Sequence, residues 1–493
     1  MTTHDGYRYQ ASCGSFSKGL ACSAVISPPS NLPGFLSDDG FDVIVIGAGY
    51  AGLTAIRDLC NLGYKVLLLE ARDRVGGRTY TADVDGHLYE MGGAWVHWGQ
   101  PHVYHEMHRY GQTKMLNSNE AEIGCQSFFT ACIDGARTSM SLEEQERLVS
   151  KAFEVFCNVD DSYGRRLLPY PHEPHHNPDV RYWESISAAQ RLDQIRHLLD
   201  DVQITTLQAF LVAISGNTMK ETGFFDILRW WALSGYTVLG LYEYTETYKI
   251  AAGQSDFARC FFEEALSTGN LRFSFQTAVT GIHDQAGRVT VTCASGQKWL
   301  AKRLVCTIPL NILTKVDFNP PLPAVKTAAC IKGNVNFGAK LHLEVDDTHL
   351  LSWVATNWPG THIFSCRGDG ITPKGNTHIV TFGANKDSLS PQQNAQEATA
   401  ELNKIQPVTV QQVVWHDWVK DPFSGGSWCM FPPGYSFRYL DALRERHGNV
   451  FFASGDWAYG WRGFIDGAIE EGSRVAKEVS VCLGRLKAVA ASL

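Results

Sequence analysis

The chain lacks what a membrane protein, a nucleic-acid binder or a disulfide scaffold would need. Across its 493 residues no apolar run reaches the ~18 residues of a membrane-spanning helix. It has no long block of Lys or Arg, and its formal net charge of −8 argues against a nucleic-acid partner. Its 13 cysteines are an odd number without a Cys-x-x-Cys pair, which suits reduced thiols better than disulfides. Metal-ligand spacing is also missing. His105-Glu-Met-His108 lacks the two-residue gap of the zinc protease motif, and His172, His175 and His176 sit in a Pro-rich loop. No functional metal is expected.

Neither end of the sequence is expected to act as an anchor of the usual kind. Met1 to Gly40 is polar, broken by Pro28, Pro29 and Pro33, and without the hydrophobic centre of a secretory signal. It is expected to be an extension draped over the surface. Ser473 to Leu493 carries Arg474, Lys477, Arg485 and Lys487 and cannot span a bilayer. An intracellular soluble protein is expected, either cytoplasmic or peroxisomal. The final Ala-Ser-Leu is similar to the peroxisomal Ser-Lys-Leu address but lacks its basic residue.

What the chain does have is a nucleotide-binding βαβ signature. Phe41 to Ile46 is a β-branched run of buried-strand type ending on Gly47-Ala-Gly49-Tyr-Ala-Gly52. Gly47 permits the tight turn, Gly49 lets backbone amides approach a pyrophosphate, and Gly52 lets the next helix pack on its strand. That helix, about Ala51 to Leu62, aims its amino end at the phosphates. A second apolar strand, Lys65 to Leu69, delivers Glu70 about 20 residues past the glycines, where a carboxylate grips ribose hydroxyls. The charge of Glu70 disfavours a phosphorylated ribose. Arg72, Gly76, Gly77 and Arg78 follow at once, and Gly92-Gly93-Ala94-Trp95 adds a second glycine pair. Two arginines in a flexible loop suit a diphosphate already partly neutralised by the helix end.

Taken with the Gly-Gly-Arg loop, this stretch resembles the flavin-containing monoamine oxidase family; with Trp428, Phe464 and the stretch from Ser234 to Lys249, the likeness is closest to the soluble fungal member. The resemblance implies FAD rather than a nicotinamide. It also implies an α/β fold in which a Rossmann-like FAD-binding domain is interleaved with a mixed α+β substrate domain, as in glutathione-reductase-like flavoproteins. The expected division is an extension at 1–40, FAD-binding segments at 41–100, 255–330 and 421–485, and substrate-binding segments at 101–254 and 331–420. Strand-like stretches at Ala278 to Ile282, Arg288 to Thr292 and Leu304 to Ile308 match the middle of the flavin domain. There Val279 falls where a valine backbone lies beside adenine; by pattern alone it is a routine strand residue. Gly93 and Ala94 join the cofactor set. Asn449 to Asp456 reads as a strand ending on Gly455-Asp456, followed by a helix from Gly463 with apolar positions at helical spacing. By resemblance Asp456 binds near the ribityl phosphate, and the helix start at Ile465 offers an amide to the flavin's pyrimidine edge. Gly467 and Gly472 within that helix imply close packing.

The resemblance also names the reacting groups. Asn334 to Glu344 alternates with period two, placing Asn336, Gly338, Lys340 and His342 on one face. A solvated edge strand would look the same. The family has a lysine here, linked through water to the flavin's reactive nitrogen, and Lys340 matches it, with Asn336 lining the same cavity. Trp428 and Phe464 fall on the two aromatic cage positions flanking the amine; as isolated residues both would read as core. Ser427 stands where some relatives carry the cysteine that bonds to flavin, so the FAD is expected to be non-covalent, although Cys429 lies two residues on. Gln254 is a further cavity position. Glu246 would attract a second cationic group on a diamine or polar aromatic amine, or share a solvated helix face with Glu243.

The implied reaction is oxidation of a primary monoamine to an imine that water converts to aldehyde and ammonia, with oxygen accepting the electrons as hydrogen peroxide. The cofactor carries the difficult step, so no Ser–His–Asp set or acid pair is needed. Rivals are a polyamine or diamine oxidase, an amino-acid oxidase (for which Arg462 would have to hold a carboxylate), and a flavin-binding module without turnover. The expected partners are a small amine and O2, with no nucleic acid or membrane; a homodimer is implied by resemblance alone.

Overall fold

The computed structural model describes residues 1–32, 40–118, 128–133, 136–285, 287–358, 360–384 and 395–484. The final Ala-Ser-Leu and residues 485–493 lie outside them.

Two sheets organise the molecule. The first has a parallel centre built in the order Leu271–Ser274, Val66–Leu69, Phe41–Ile46, Lys298–Cys306, with Val450–Phe452 also parallel on Lys298–Cys306. Because helices cover both sides of such a sheet, its strands are apolar along their whole length. Val66–Leu69 is buried at every position, and Phe41–Ile46 at five of six. The Tyr50–Asn61 helix crosses over between Phe41–Ile46 and Val66–Leu69. Thus the αβ signature read from the glycines becomes a Rossmann-like half-sheet whose carboxyl edge carries Gly47 and Glu70. The edge is extended by the antiparallel strands Arg288–Cys293 and Val279–Gln285.

The second sheet has nine strands. It runs Ser15–Lys18, Tyr7–Gln10, Val410–Trp415, Gly338–Val345, Thr377–Ala384, Ile363–Ile371, Trp353–Thr356, Phe128–Ile133 and Ala136–Ser141. Helices between residues 142 and 247 form a separate apolar cluster that includes Phe153, Phe210, Trp230 and Trp231. Local chemistry explains their ends. Ser187 with Gln190, and Asp200 with Gln203, are reciprocal capping boxes. The Asp201–Ser215 helix stops at Gly216, whose φ of 61° is the left-handed cap that glycine supplies most easily.

Two expectations need correction. The amino-terminal segment is not draped over the surface. Tyr7–Gln10 pairs with Val410–Trp415 in the larger sheet, and Leu20, Cys22 and Ala24 are buried in the nucleotide-domain core. Its polar composition concealed strands that pair with residues some 400 positions away in sequence. The strand bearing Lys340 begins at Gly338, not Asn334, and lies inside its sheet between two neighbours. Both of its faces are packed, so it is not a solvated edge.

The final helix, Ile465–Cys482, lies along Tyr50–Asn61. Gly472 is the close-approach point: a Cβ there would run into the Ala51 carbonyl and come within 2.7 Å of Thr54. Backbone cannot retreat as a flexible side chain can. Gly472→Ala is therefore expected to lower stability by about 1–3 kcal/mol, read as a fall in the thermal unfolding midpoint. An unchanged midpoint would mean the two helices are looser than described.

Candidate active site

Loops at the carboxyl edge of the first sheet meet the second sheet around a cavity of about 440 Å³. Gly47, Gly49, Gly76 and Gly77 line one end, with Glu70, Arg72, Arg78 and Val279. Gly49 and Gly76 form an isolated parallel bridge, and a Cβ on Gly77 would sit 2.9 Å from the Gly49 Cα. Gly52 does not line the cavity; a Cβ there would collide with the Gly47 carbonyl, so its smallness fixes helix against strand. The result is a cradle of bare backbone.

Two helix amino ends point into this space. Gly49 precedes Tyr50–Asn61 and Phe464 precedes Ile465–Cys482, and neither helix has a side-chain cap. Gly49, Tyr50 and Ala51 line the cavity at one end, and Phe464, Ile465 and Ala468 do so elsewhere along it. First-turn amides without a cap call for an acceptor from outside the chain. Asp466 Oδ1 instead accepts from the His102 and Val103 amides of the neighbouring helix, at 2.7 and 2.9 Å. Glu70 accepts from the Ala48 amide and, at 2.8 Å, from the Arg72 amide. Burial pushes its carboxyl up, and those amides oppose the shift. This donor set, with its glycine floor and acid, fits a dinucleotide.

The arginines are less free than their sequence position suggested. Arg72 lines the cavity, but its amino nitrogens hold Asp5 at 3.0 Å and Asp421 at 2.6 Å. Burial works against the cation, and the two carboxylates more than offset it, so Arg72 stays charged. Its neutralising charge is already engaged. Arg78 donates to the Ser427 carbonyl at 2.8 Å and to Asp456 at 2.6 Å. Asp456 is not on the cavity wall; its other oxygen accepts from the Leu310 amide at 3.0 Å. It thereby ties Arg78 and the 307–310 turn together.

Lys340, Trp428 and Phe464 all reach the same cavity from different elements. Lys340 Nζ donates to the Glu90 carbonyl at 2.7 Å and the Gly92 carbonyl at 3.0 Å, 4.8 Å from the Trp95 ring centre. Burial pushes its ammonium down to about 8. His342 Nε2 lies 3.1 Å from the same Glu90 carbonyl, and a hydrogen-bonded chain continues to His378 at 2.8 Å and His87 at 3.1 Å. Burial holds His342 and His378 well below the usual imidazole range, so these rings are neutral. Trp428 is fixed by its indole N–H to the Ile214 carbonyl at 2.9 Å. Phe464 packs on Trp230 and Trp461, ring centres 4.7 and 5.0 Å away.

Two of the remaining positions lie off the cavity wall. Asn336 is fully buried outside the cavity, with Oδ1 accepting from the Gly338 amide at 2.8 Å. Gln254 also misses the cavity; it bonds the Tyr50 hydroxyl at 2.6 Å and the Ala94 carbonyl at 3.0 Å. Both are polar residues that satisfy buried backbone or hydroxyl partners, a role that sequence spacing does not separate from ligand contact. Glu246 does line the cavity, from a π-helical turn at Glu243–Thr247, but Arg367 holds its carboxylate in an ion pair. Gly93, Ala94, Gly455 and Ile465 lie on the wall. Sequence reading passed over Trp230, Phe382 and Arg367. Phe382 faces Lys340 across the strand pair, a register that only the folded sheet reveals. Among the described residues none of the cavity-lining side chains is a cysteine. Cys429 packs instead with Phe431 and Tyr435.

Comparison with known proteins agrees with this arrangement. The chain is 30% identical over 455 residues to pseudooxynicotine dehydrogenase of a Pseudomonas species, covering 90% of this chain and 87% of that one. It is 31% identical over 461 residues to nicotine dehydrogenase of Pseudomonas putida (strain DSM 28022 / S16), covering 90% and 89%. Among solved structures, cyclohexylamine oxidase from Brevibacterium oxydans IH-35A superposes with a TM-score of 0.74 at 17% identity, covering 90% of this chain and 99% of that one. Putrescine oxidase with bound putrescine gives 0.72 at 19%, covering 89% and 98%. Residues 50–480 match the model of the flavin containing amine oxidoreductases, and the protein belongs to that family of FAD enzymes.

Proposed function

We propose that this chain oxidises primary monoamines with FAD and O2, giving aldehyde, ammonia and hydrogen peroxide. The observation carrying this reading is the convergence of Lys340, Trp428 and Phe464 on the cavity that also holds the dinucleotide cradle. Bound FAD supplies the acceptor for the hydride equivalent that leaves the carbon next to nitrogen. The chain's own residues then have separate tasks. Gly49 and the Tyr50–Asn61 helix end receive the pyrophosphate, Glu70 the ribose hydroxyls, and the Val279 backbone the adenine. The Ile465 helix end would lie towards the pyrimidine edge of a bound flavin, where its partial positive charge would favour added electron density.

Trp428 and Phe464 hold the amine by their ring faces and strip it of water. A desolvated site favours the neutral amine, whose lone pair supports C–H cleavage. Lys340 holds a proton at Nζ beside the peptide carbonyls of Glu90 and Gly92, where it orients water and attracts the charge that develops as oxygen is reduced. Glu246 bears on substrate choice. Its pairing with Arg367 leaves no net charge to draw the second ammonium of a diamine, which favours monoamines.

The names of two relatives, which act on nicotine and pseudooxynicotine, support a second reading in which a bulkier cyclic or secondary amine is the substrate. The apolar wall formed by Ile214, Trp230 and Phe382 accommodates either class.

Attachment of the cofactor is testable directly. Cys429 lies off the cavity wall, so acid precipitation is expected to leave the yellow colour in the supernatant, and Cys429→Ala to change nothing; colour in the pellet would refute non-covalent binding. Trp428→Ala is expected to lower kcat/KM for hexylamine or benzylamine roughly 2- to 30-fold, the range of a desolvated aromatic contact worth about 0.5–2 kcal/mol. Peroxide release across hexylamine, benzylamine, putrescine and spermidine checks the class, and a preference for the last two would overturn the monoamine reading. Lys340→Met is expected to slow the oxygen-dependent half-reaction roughly tenfold or more, with anaerobic reduction by amine less affected. Since Lys340 is charged below about 8 and neutral above, the wild-type oxygen step should slow as pH rises through that value. The variant should lack that pH step.

A further inference from the structure

Thr245 and Glu246 of the segment Glu243–Ile250 line the cavity, and the larger sheet grips that segment with charge. Strand Ile363–Ile371 presents Ser365, Arg367 and Asp369 at period two. Arg367 pairs with Glu246, and Asp369 accepts from Lys249 at 2.6 Å. The Arg367 guanidinium also donates to the Glu246 carbonyl at 3.1 Å and lies 5.8 Å from the Trp95 ring centre. Glu246 is thus clamped at both its backbone and its side chain.

The clamp is made through Oε2 alone. The other carboxylate oxygen lies on a side chain that borders the cavity, as does Ser365, which pairs across the sheet with Phe382 of the same wall. A carboxylate accepts at both oxygens, and Glu246 borders the cavity with Oε2 engaged by Arg367, which leaves Oε1 to take a donor from a ligand. The ion pair carries no net charge, so the complementary group is a neutral O–H or N–H and not a second ammonium.

Resting on the monoamine reading above, we propose that Glu246, held by Arg367 and assisted by Ser365, is a specificity-determining residue. It accepts a hydrogen bond from a neutral hydroxyl or N–H donor on the substrate. The favoured substrate class is an amine carrying such a group on an aromatic or alicyclic ring. Sites built to bond a substrate hydroxyl reject the analogue lacking it far more strongly than apolar pockets reject an extra methylene, because their own polar group is left unpaired.

The test uses FAD-loaded full-length protein and two pairs of compounds. Phenethylamine and 4-hydroxyphenethylamine are compared by kcat/KM. 2-Phenylethanol and its 4-hydroxy counterpart have no amine to oxidise and are compared by perturbation of flavin absorbance. The hydroxylated member of each pair is expected to be favoured roughly tenfold or more. In Glu246→Leu/Arg367→Leu, which removes both charges together, each ratio should collapse towards one. Glu246→Gln, which keeps an acceptor oxygen, should retain part of the preference. Equal handling of both pairs in the wild type, or ratios that survive in the double variant, would overturn the assignment of Glu246. A selective loss of putrescine turnover in Glu246→Gln would overturn it too, in favour of charge attraction. Ligand binding with the expected ratio but no peroxide from any amine would strike the oxidase reading while leaving this one standing.

Discussion

Two helices that begin without side-chain caps, both at one cavity, set the terms for everything around them. Each leaves several first-turn amides to be satisfied from outside the chain, and each brings a partial positive charge. That arrangement is stable only if backbone approaches backbone closely, which is why glycine recurs at 47, 49, 52, 76, 77 and 472. The Tyr50–Asn61 and Ile465–Cys482 helices pack along one another through Gly472, so the two amino ends are fixed relative to each other before any cofactor arrives. Geometry that is prepared in advance costs no ordering at the moment of binding.

Charge elsewhere in the site is managed by pairing, and the pairs decide what the cavity offers. Arg72 is held by Asp5 and Asp421, Arg78 by Asp456, and Glu246 by Arg367. Lys340 has no direct ion pair: its hydrogen bonds go to carbonyls, burial works against its charge, and the Asp369 and Glu90 carboxylates oppose that. A buried lysine shifts its protonation more readily than an arginine locked to a carboxylate.

The βαβ signature was legible because its constraints are local. Tight turn, close approach and terminal acid each demand a residue type at a fixed spacing, and Gly47, Gly49, Gly52 and Glu70 meet them within one short stretch. The alternation around Lys340 gave the correct face but not its surroundings, since period two reports the pleat and not what covers it. The partners of Arg72, Glu246 and Asp456 were not legible. Asp5 lies 67 residues before Arg72 and Asp421 lies 349 after it, and no local pattern couples them. The same holds for the amino-terminal strands, whose pairing partner is drawn from Val410–Trp415. Gln254 and Asn336 were misjudged for another reason: buried amides serve backbone satisfaction and ligand contact with the same chemistry.

The cavity wall takes residues from Ile46 at one extreme to Ala468 at the other. On a ribosome, such a pocket is incomplete until the helix Ile465–Cys482 has left the exit tunnel. Synthesis of the glycine-rich cradle and completion of the cavity are thus separated by about 400 residues of translation.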